Sequence, residues 1–241
     1  MLLDPSLIHD STIPADLFGH GQPEGSKCAT SDMLLSVHIP KTAGVSFRKI
    51  LAQLYCEDFL LKYWQMTDAH GRVVPAIPAN IRCIHGHFSP DVLLPAYPDA
   101  KLITWVRDPV ERVVSSYFHR LREPDWQHPV TRELHEKKLS LVEFAALELM
   151  RNEMARYFSG KSPEDFAFIG RMETFETSLA RFLRRFGFGQ VAIPRENCNP
   201  ERKTGRYLLD WETWRKIAAM NEQDLELYHY ICRLDEQKSA A

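Results

Sequence analysis

The sequence carries no large excess of either charge: 30 lysines and arginines stand against 32 aspartates and glutamates, a formal net charge of −2. Nothing global therefore draws the chain to nucleic acid or to an anionic membrane. An acidic polymer would need a local basic strip. The candidates are Arg181, Arg184 and Arg185, or Arg202, Lys203 and Arg206; such runs are otherwise solvated faces. Cysteine is sparse and without pattern. Cys28, Cys56, Cys83, Cys198 and Cys232 are odd in number and form neither a CxxC pair nor a metal-ligand spacing. That argues against a disulfide framework or a zinc motif and sets the expectation of reduced thiols in a cytoplasmic protein. Long apolar runs are missing as well: no stretch of about 18 apolar residues exists to span a bilayer. Met1-Leu2-Leu3-Asp4 has neither the positive n-region nor the apolar core of a signal peptide. Internal repeats and low-complexity segments are also lacking.

What is present is ordinary for a soluble globular protein. Hydrophobic residues make up 44% and charged residues 26% of the 241, enough for one sizeable core. Residues 1–32 mix Pro, Gly, Ser, His and acids without periodicity and read as an N-terminal arm, leaving 33–241 as a single domain. Short apolar runs alternate with helical patterns from residue 33 to residue 122. This predicts an α/β fold, a mostly parallel central sheet flanked by helices. The polar stretch Arg122 to Ser140, with Pro124, Trp126 and Pro129, reads as a loop or lid. Helical patterns follow from Leu141 to Phe158, at Leu179, Phe182, Leu183 and Phe186, and from Trp211 to Ile231, with a further strand at Phe166 to Ile169.

The most informative stretch runs from Leu34 to Phe47. An apolar run readable as a buried strand ends in the turn Pro40-Lys41-Thr42-Ala43-Gly44-Val45-Ser46. Phe47, Ile50, Leu51 and Leu54 then recur at i, i+3, i+4, i+7 as one helical face. A strand, a turn and a helix N-terminus make an anion site, because free backbone N–H groups and the positive end of the helix dipole meet there. Lys41 adds a full positive charge, and Thr42 and Ser46 add hydroxyl donors. This P-loop-like cradle lacks the glycines of the triphosphate-binding motif G-x-x-x-x-G-K-[ST]. Aligning the Lys-Thr of that motif on Lys41-Thr42 puts Leu35 and Pro40 at the glycine positions, which disfavours a kinase or nucleoside triphosphatase.

A second apolar run, Lys101 to Val106, ends at Arg107. Asp108-Pro109 is a helix start, an N-cap followed by proline at the first helical position. Val110, Val113, Val114, Tyr117, Phe118 and Leu121 form one apolar face, while Arg112, Ser115 and His119 are expected together on the polar face. Arg107 and Ser115 are placed to reach one anion from the strand end and the helix; the same pattern also describes a solvated amphipathic helix with an ordinary cap. Between the two stretches lies Ile81-Arg82-Cys83-Ile84-His85-Gly86-His87-Phe88. In an extended chain His85 and His87 share a face, and Gly86 leaves room for close backbone approach. The pair reads as a general base with a helper, as a metal pair lacking a local third ligand, or as structural histidines.

In this order the three stretches resemble the sulfotransferase family that includes heparan sulfate and uronyl 2-O-sulfotransferases. The resemblance covers the chain from Met33 to Arg233. His38 to Phe47 matches the 5′-phosphosulfate loop, with Val45 where many relatives have threonine or serine. Arg107 to Tyr117 matches the 3′-phosphate motif, and His85 to His87 matches the His-Gly-His element. Weaker echoes lie at Asn152 to Tyr157, Ile169 to Phe175 and Asn221 to Tyr228. The resemblance implies 3′-phosphoadenosine 5′-phosphosulfate (PAPS) as sulfuryl donor, with no metal required, and a hydroxyl acceptor, a saccharide or small molecule. Animal relatives carry a Golgi membrane anchor, which this sequence lacks, so a soluble bacterial enzyme is expected.

The resemblance also assigns roles. Lys41 would stabilise the bridging oxygen as adenosine bisphosphate leaves, and Lys41, Thr42, Ala43, Gly44, Val45 and Ser46 would hold the 5′-phosphate. Arg107 and Ser115 would fix the 3′-phosphate. The segment Asn197 to Tyr207, with Arg202 and Lys203, resembles the late basic loop that closes over it; a surface turn is the plain alternative. His87 would be the base, with His85 assisting it or binding the acceptor. Two other readings compete: a P-loop-like nucleotide kinase and a non-catalytic nucleotide-binding protein.

Overall fold

The computed structural model describes residues 32–62, 77–193 and 207–240. Five strands form one parallel sheet: β1 (Leu34–Val37), β2 (Phe59–Lys62), β3 (Cys83–Gly86), β4 (Lys101–Val106) and β5 (Phe168–Arg171), in the order β2-β3-β1-β4-β5. The expected fold class is the one observed. The arm expected over residues 1–32 lies, apart from Asp32, outside the described residues.

β1 sits at the centre because all four of its residues are buried. It pairs on one side with β3 and on the other with β4, with Leu34 opposite both Cys83 and Lys101. From β1 the chain crosses to one edge of the sheet, and after β3 it passes to the other side. The order therefore reverses beside β1, and in open α/β sheets ligands bind at the carboxyl ends of the strands at such a switch point. The Thr104 hydroxyl donates to the Val37 carbonyl at 2.8 Å and straps β4 to β1 there.

Side-chain alternation sends the strands' residues to two faces. Leu34, Cys83, Ile103 and Trp105 pack against α1 (Gly44–Tyr55) and, further along the chain, α7 (Phe175–Arg185), through Phe47, Ile50, Leu51, Leu179 and Phe182. Leu35, Val37, Ile84, Leu102 and Val106 pack on the opposite face against α2 (Pro90–Leu93), α6 (Glu153–Phe158) and α9 (Glu222–Ala240). A third cluster joins α3 (Pro109–Arg122) to α4 (Pro129–Glu136), α5 (Leu141–Ala146) and α8 (Trp211–Met220).

Several expected boundaries move. The Arg122 to Ser140 stretch contains α4, started by Pro129 and capped by His128, whose side chain accepts from the Val130 N–H. The helix expected from Leu141 to Phe158 is broken into α5, a short 3-10 turn and α6, with Asn152 left-handed at φ 48°. The one expected from Trp211 to Ile231 breaks at Asn221 into α8 and α9. These two breaks meet: the Asn152 N–H donates to Asn221 Oδ1 at 3.0 Å, and Asp224 accepts from the N–H groups of Met154 and Ala155 at 3.0 and 2.8 Å. Asp224 thus satisfies first-turn donors of α6. Among the described residues no helix is long and apolar enough to cross a membrane.

Candidate active site

The loops that follow β1, β3 and β4 open at the same end of the sheet and carry the residues singled out in the sequence. In the first loop Lys41 and Ala43 adopt left-handed backbone angles, φ 69° and 73°. Two non-glycine residues in that region cost about 1–2 kcal/mol each. Left-handed residues in such a turn are what lets successive backbone N–H groups form an anion-binding concavity. Ala43 supplies no side-chain cap, and the first turn of α1 contains no acidic residue. Val45 and Ser46 are half-buried in that turn. The Thr42 hydroxyl, expected to face a phosphate, is turned inward and donates to the Ile39 carbonyl at 2.8 Å. Gly44 is required by packing: a Cβ there would lie 1.6 Å from Nε2 of His38.

His38 is the residue that sequence reasoning missed as a site member. Along β1 it lies on the same face as Ser36, and the register opposes Ser36 to His85. The three imidazoles therefore form one stack, His85–His38–His87, with centroids 4.9 and 4.4 Å apart. Ser36 Oγ lies 2.8 Å from His85 Nδ1, and His87 Nδ1 lies 2.7 Å from the His38 carbonyl. A carbonyl only accepts, so His87 Nδ1 carries the proton and Nε2 keeps its lone pair. Burial pushes all three imidazoles below their ordinary range, His85 to about 3. His85 is 2% exposed, so the acceptor contact expected as one of its two roles needs a surface it does not present. His87 is half-buried. Gly86 permits the close approach expected of it: a Cβ there would meet the Lys62 carbonyl oxygen at 1.5 Å.

Around His87 the structure gathers residues from distant parts of the chain. The Tyr157 hydroxyl stands 3.5 Å from His87 Nδ1. His128 has a pKa lowered to about 4, by burial first and then by Arg120, with His87 a smaller contributor. Arg48, one turn beyond Gly44, lies close enough to disfavour protonation of His38 and His85. Tyr157 ends one of the weaker echoes in the sequence, whereas His128 and Arg48 carry no local signal and are brought in by the fold alone.

Arg107 is buried behind the first loop. Its guanidinium donates to the Lys41 carbonyl at 3.3 Å and to Glu111 Oε2 at 3.2 Å, and lies 6.0 Å from the Tyr207 ring centroid. Glu111 Oε1 also accepts the Tyr207 N–H at 2.8 Å. Burial, and next the nearby Arg107, lower the Lys41 pKa to about 8. Ser115 lies half-buried on α3 between Glu111 and His119 at i, i+4 spacing, and Lys41 in turn disfavours the charged form of His119. Lys41 and Arg107 thus border one region, and Ser115 stands one turn before His119 on α3. Arg202 and Lys203 lie outside the described residues, just before Tyr207.

Arg112 departs from its expected place on the polar face with Ser115 and His119. It is fully buried, paired with Glu153, and donates to the Met150 carbonyl at 3.0 Å. Glu153 comes from the Asn152 to Tyr157 echo, and Glu111 replaces Arg112 on the face that looks toward Arg107. Among the described residues no group of three or more His, Cys, Asp or Glu side chains is arranged to hold a metal ion.

The sulfotransferase from Alicyclobacillus acidocaldarius is similar in structure at 14% identity and a TM-score of 0.44, over 84% of this chain and 96% of that one. Mouse sulfotransferase SULT7A1 complexed with PAP is similar at 14% identity and a TM-score of 0.43, over 67% of this chain and 60% of that one. No curated protein matches. Over residues 26–231 the sequence matches the Sulfotransferase family, and the chain belongs to that family.

Proposed function

We propose that this sulfotransferase moves a sulfuryl group from PAPS to a hydroxyl of a saccharide or other small acceptor, with His87 as the base. One observation carries the reading: the residue that leads into the Lys41 loop, His38, holds His87 through its own carbonyl. The loop that carries Lys41 and the imidazole of His87 are thus joined by one contact between residues 49 apart in the chain. Lys41 and the backbone N–H groups of Thr42, Ala43, Gly44, Val45 and Ser46 would hold the 5′-phosphate, in a first turn that carries no competing side-chain cap.

When bound, PAPS supplies the sulfuryl group and adenosine bisphosphate as its leaving group. The transfer resembles phosphoryl transfer in its loose, in-line transition state. Lys41, partly desolvated, stabilises charge that develops on the bridging oxygen. Arg107 and Ser115, with Arg202 and Lys203 from the basic segment, would read the 3′-phosphate. His87 Nε2 takes the acceptor hydroxyl proton, while the His38 carbonyl steadies the Nδ1–H of the resulting imidazolium. His85, buried and stacked on His38, would assist the base rather than bind the acceptor.

Two measurements test this. Adenosine 3′,5′-bisphosphate should raise the melting temperature and ATP with magnesium should not. Sulfate from PAPS should appear on at least one member of a panel of saccharides and small alcohols. Stabilisation by ATP-magnesium alone would return the kinase reading. Bisphosphate binding with no transfer to any acceptor, and no hydrolysis of PAPS, would favour a binding protein.

A further inference from the structure

We infer that Glu173 is a positioning residue for recognition of the donor's 3′-phosphate, acting through the turn that carries Arg107. The inference rests on the proposal that Arg107 reads that phosphate. Register explains the contact. β4 and β5 pair with Val106 opposite Arg171, so two residues further on Glu173 comes beside Asp108. Glu173 Oε1 accepts the Asp108 N–H at 2.8 Å, and Oε2 accepts the Tyr228 hydroxyl at 2.9 Å.

The Asp108 N–H belongs to the same peptide plane as the Arg107 carbonyl, so this bond fixes the backbone torsion from which the Arg107 side chain departs. The Asp108 carboxylate is engaged in capping α3, its Oδ1 accepting the Val110 and Glu111 N–H groups at 2.9 and 3.1 Å. Glu111 grips the guanidinium at the far end. Arg107 is therefore held at both ends by carboxylates, one near its tip and one at its backbone. Tyr228 is 8% exposed and packed in the core under the sheet, so its hydroxyl gives the Glu173 carboxylate a rigid second tether. Glu173 and Tyr228 come from two of the weaker echoes in the sequence, and this contact gives both a shared role that a local motif does not reveal.

The test compares adenosine 3′,5′-bisphosphate with AMP, which lacks the 3′-phosphate, by titration calorimetry on the full chain. Arg107→Ala comes first: if it binds both nucleotides in the wild-type ratio, the reading of Arg107 fails. If that ratio collapses, Glu173→Ala should lower bisphosphate affinity about three- to tenfold, the worth of one hydrogen bond, with AMP affinity unchanged. Glu173→Gln, whose amide oxygen still accepts from Asp108, should restore the ratio, and the double variant should be no worse than Arg107→Ala. Tyr228→Phe should give a smaller loss of the same kind and serves where Glu173→Ala is too unstable to purify. A wild-type ratio in both Glu173→Ala and Tyr228→Phe, or an equal loss for both nucleotides, would overturn the inference while leaving Arg107 in place.

Discussion

The ring of His38 stacks on the ring of His87 at 4.4 Å, and the His38 carbonyl accepts from His87 Nδ1 at 2.7 Å. One residue at the head of the Lys41 loop therefore governs both the plane and the tautomer of the proposed base. The pH behaviour of the enzyme should follow from that arrangement and from Lys41. Burial lowers the His87 pKa, so the rising limb of kcat/KM should inflect below about 6.5, the ordinary imidazole value. Lys41 must be charged to act, and its pKa is about 8, so kcat/KM for the donor should fall as pH rises through about 8. The falling limb of kcat should lie higher, because the donor's negative charge favours protonated Lys41. Steady-state rates from pH 5 to 10, as about the usable range, check this; a falling limb at the same pH in both parameters would argue against Lys41 at the phosphates.

Gly44→Ala should be far more damaging than its size suggests. The added methyl would lie 1.6 Å from His38 Nε2, so the buried ring has to move and His87 moves with it. Displacement of that order costs about 10²-fold in rate. Turnover should fall by that amount, and the His87 imidazole resonances should shift with it; an unshifted spectrum with normal turnover would show that the stack does not hold the base.

Lys41→Ala should lower turnover by about 10²–10³, the usual cost of one lost oxyanion-type donor. Donor affinity, measured separately by calorimetry, should fall less. Chelation of magnesium should leave the wild-type rate unchanged, and strict dependence on the ion would count against the lysine-based mechanism.

Arg112→Ala should destabilise the fold by about 3–5 kcal/mol, since it strands a buried carboxylate on Glu153. Lys137→Ala, which removes an exposed pair with Glu133, should be neutral in the same urea titration. Comparable midpoints for the two variants would show that the Arg112–Glu153 pair is not the clamp between α3 and α6.

The parts of this architecture that were legible in the sequence are those in which local pattern and tertiary burial agree. β1 and β4 read as largely apolar runs, broken by Ser36 and Thr104, because both faces are covered, and α1 shows its buried stripe at Phe47, Ile50, Leu51 and Leu54. β2 escaped notice because it is a short edge strand that follows an acidic 3-10 turn, with only Phe59 fully buried. Helical periodicity runs unbroken through Asn152 and Asn221, and what ends the helices is the contact between those two residues, far apart in sequence. Arg112 reads as a surface arginine until Glu153 is brought to it. His38 heads the stretch that matches the phosphosulfate loop, and only the packing of β1 beside β3 shows that it lies between two other imidazoles.

The most direct test of the central claim is the pH–rate profile of His87→Ala with PAPS and an acceptor found in the panel. Wild type should show the low-pH inflection, and His87→Ala should lose it together with about 10²–10⁴ in turnover, while bisphosphate affinity and melting temperature stay near wild type. Near-normal turnover in His87→Ala, with the inflection still present, would contradict the account and place the base elsewhere.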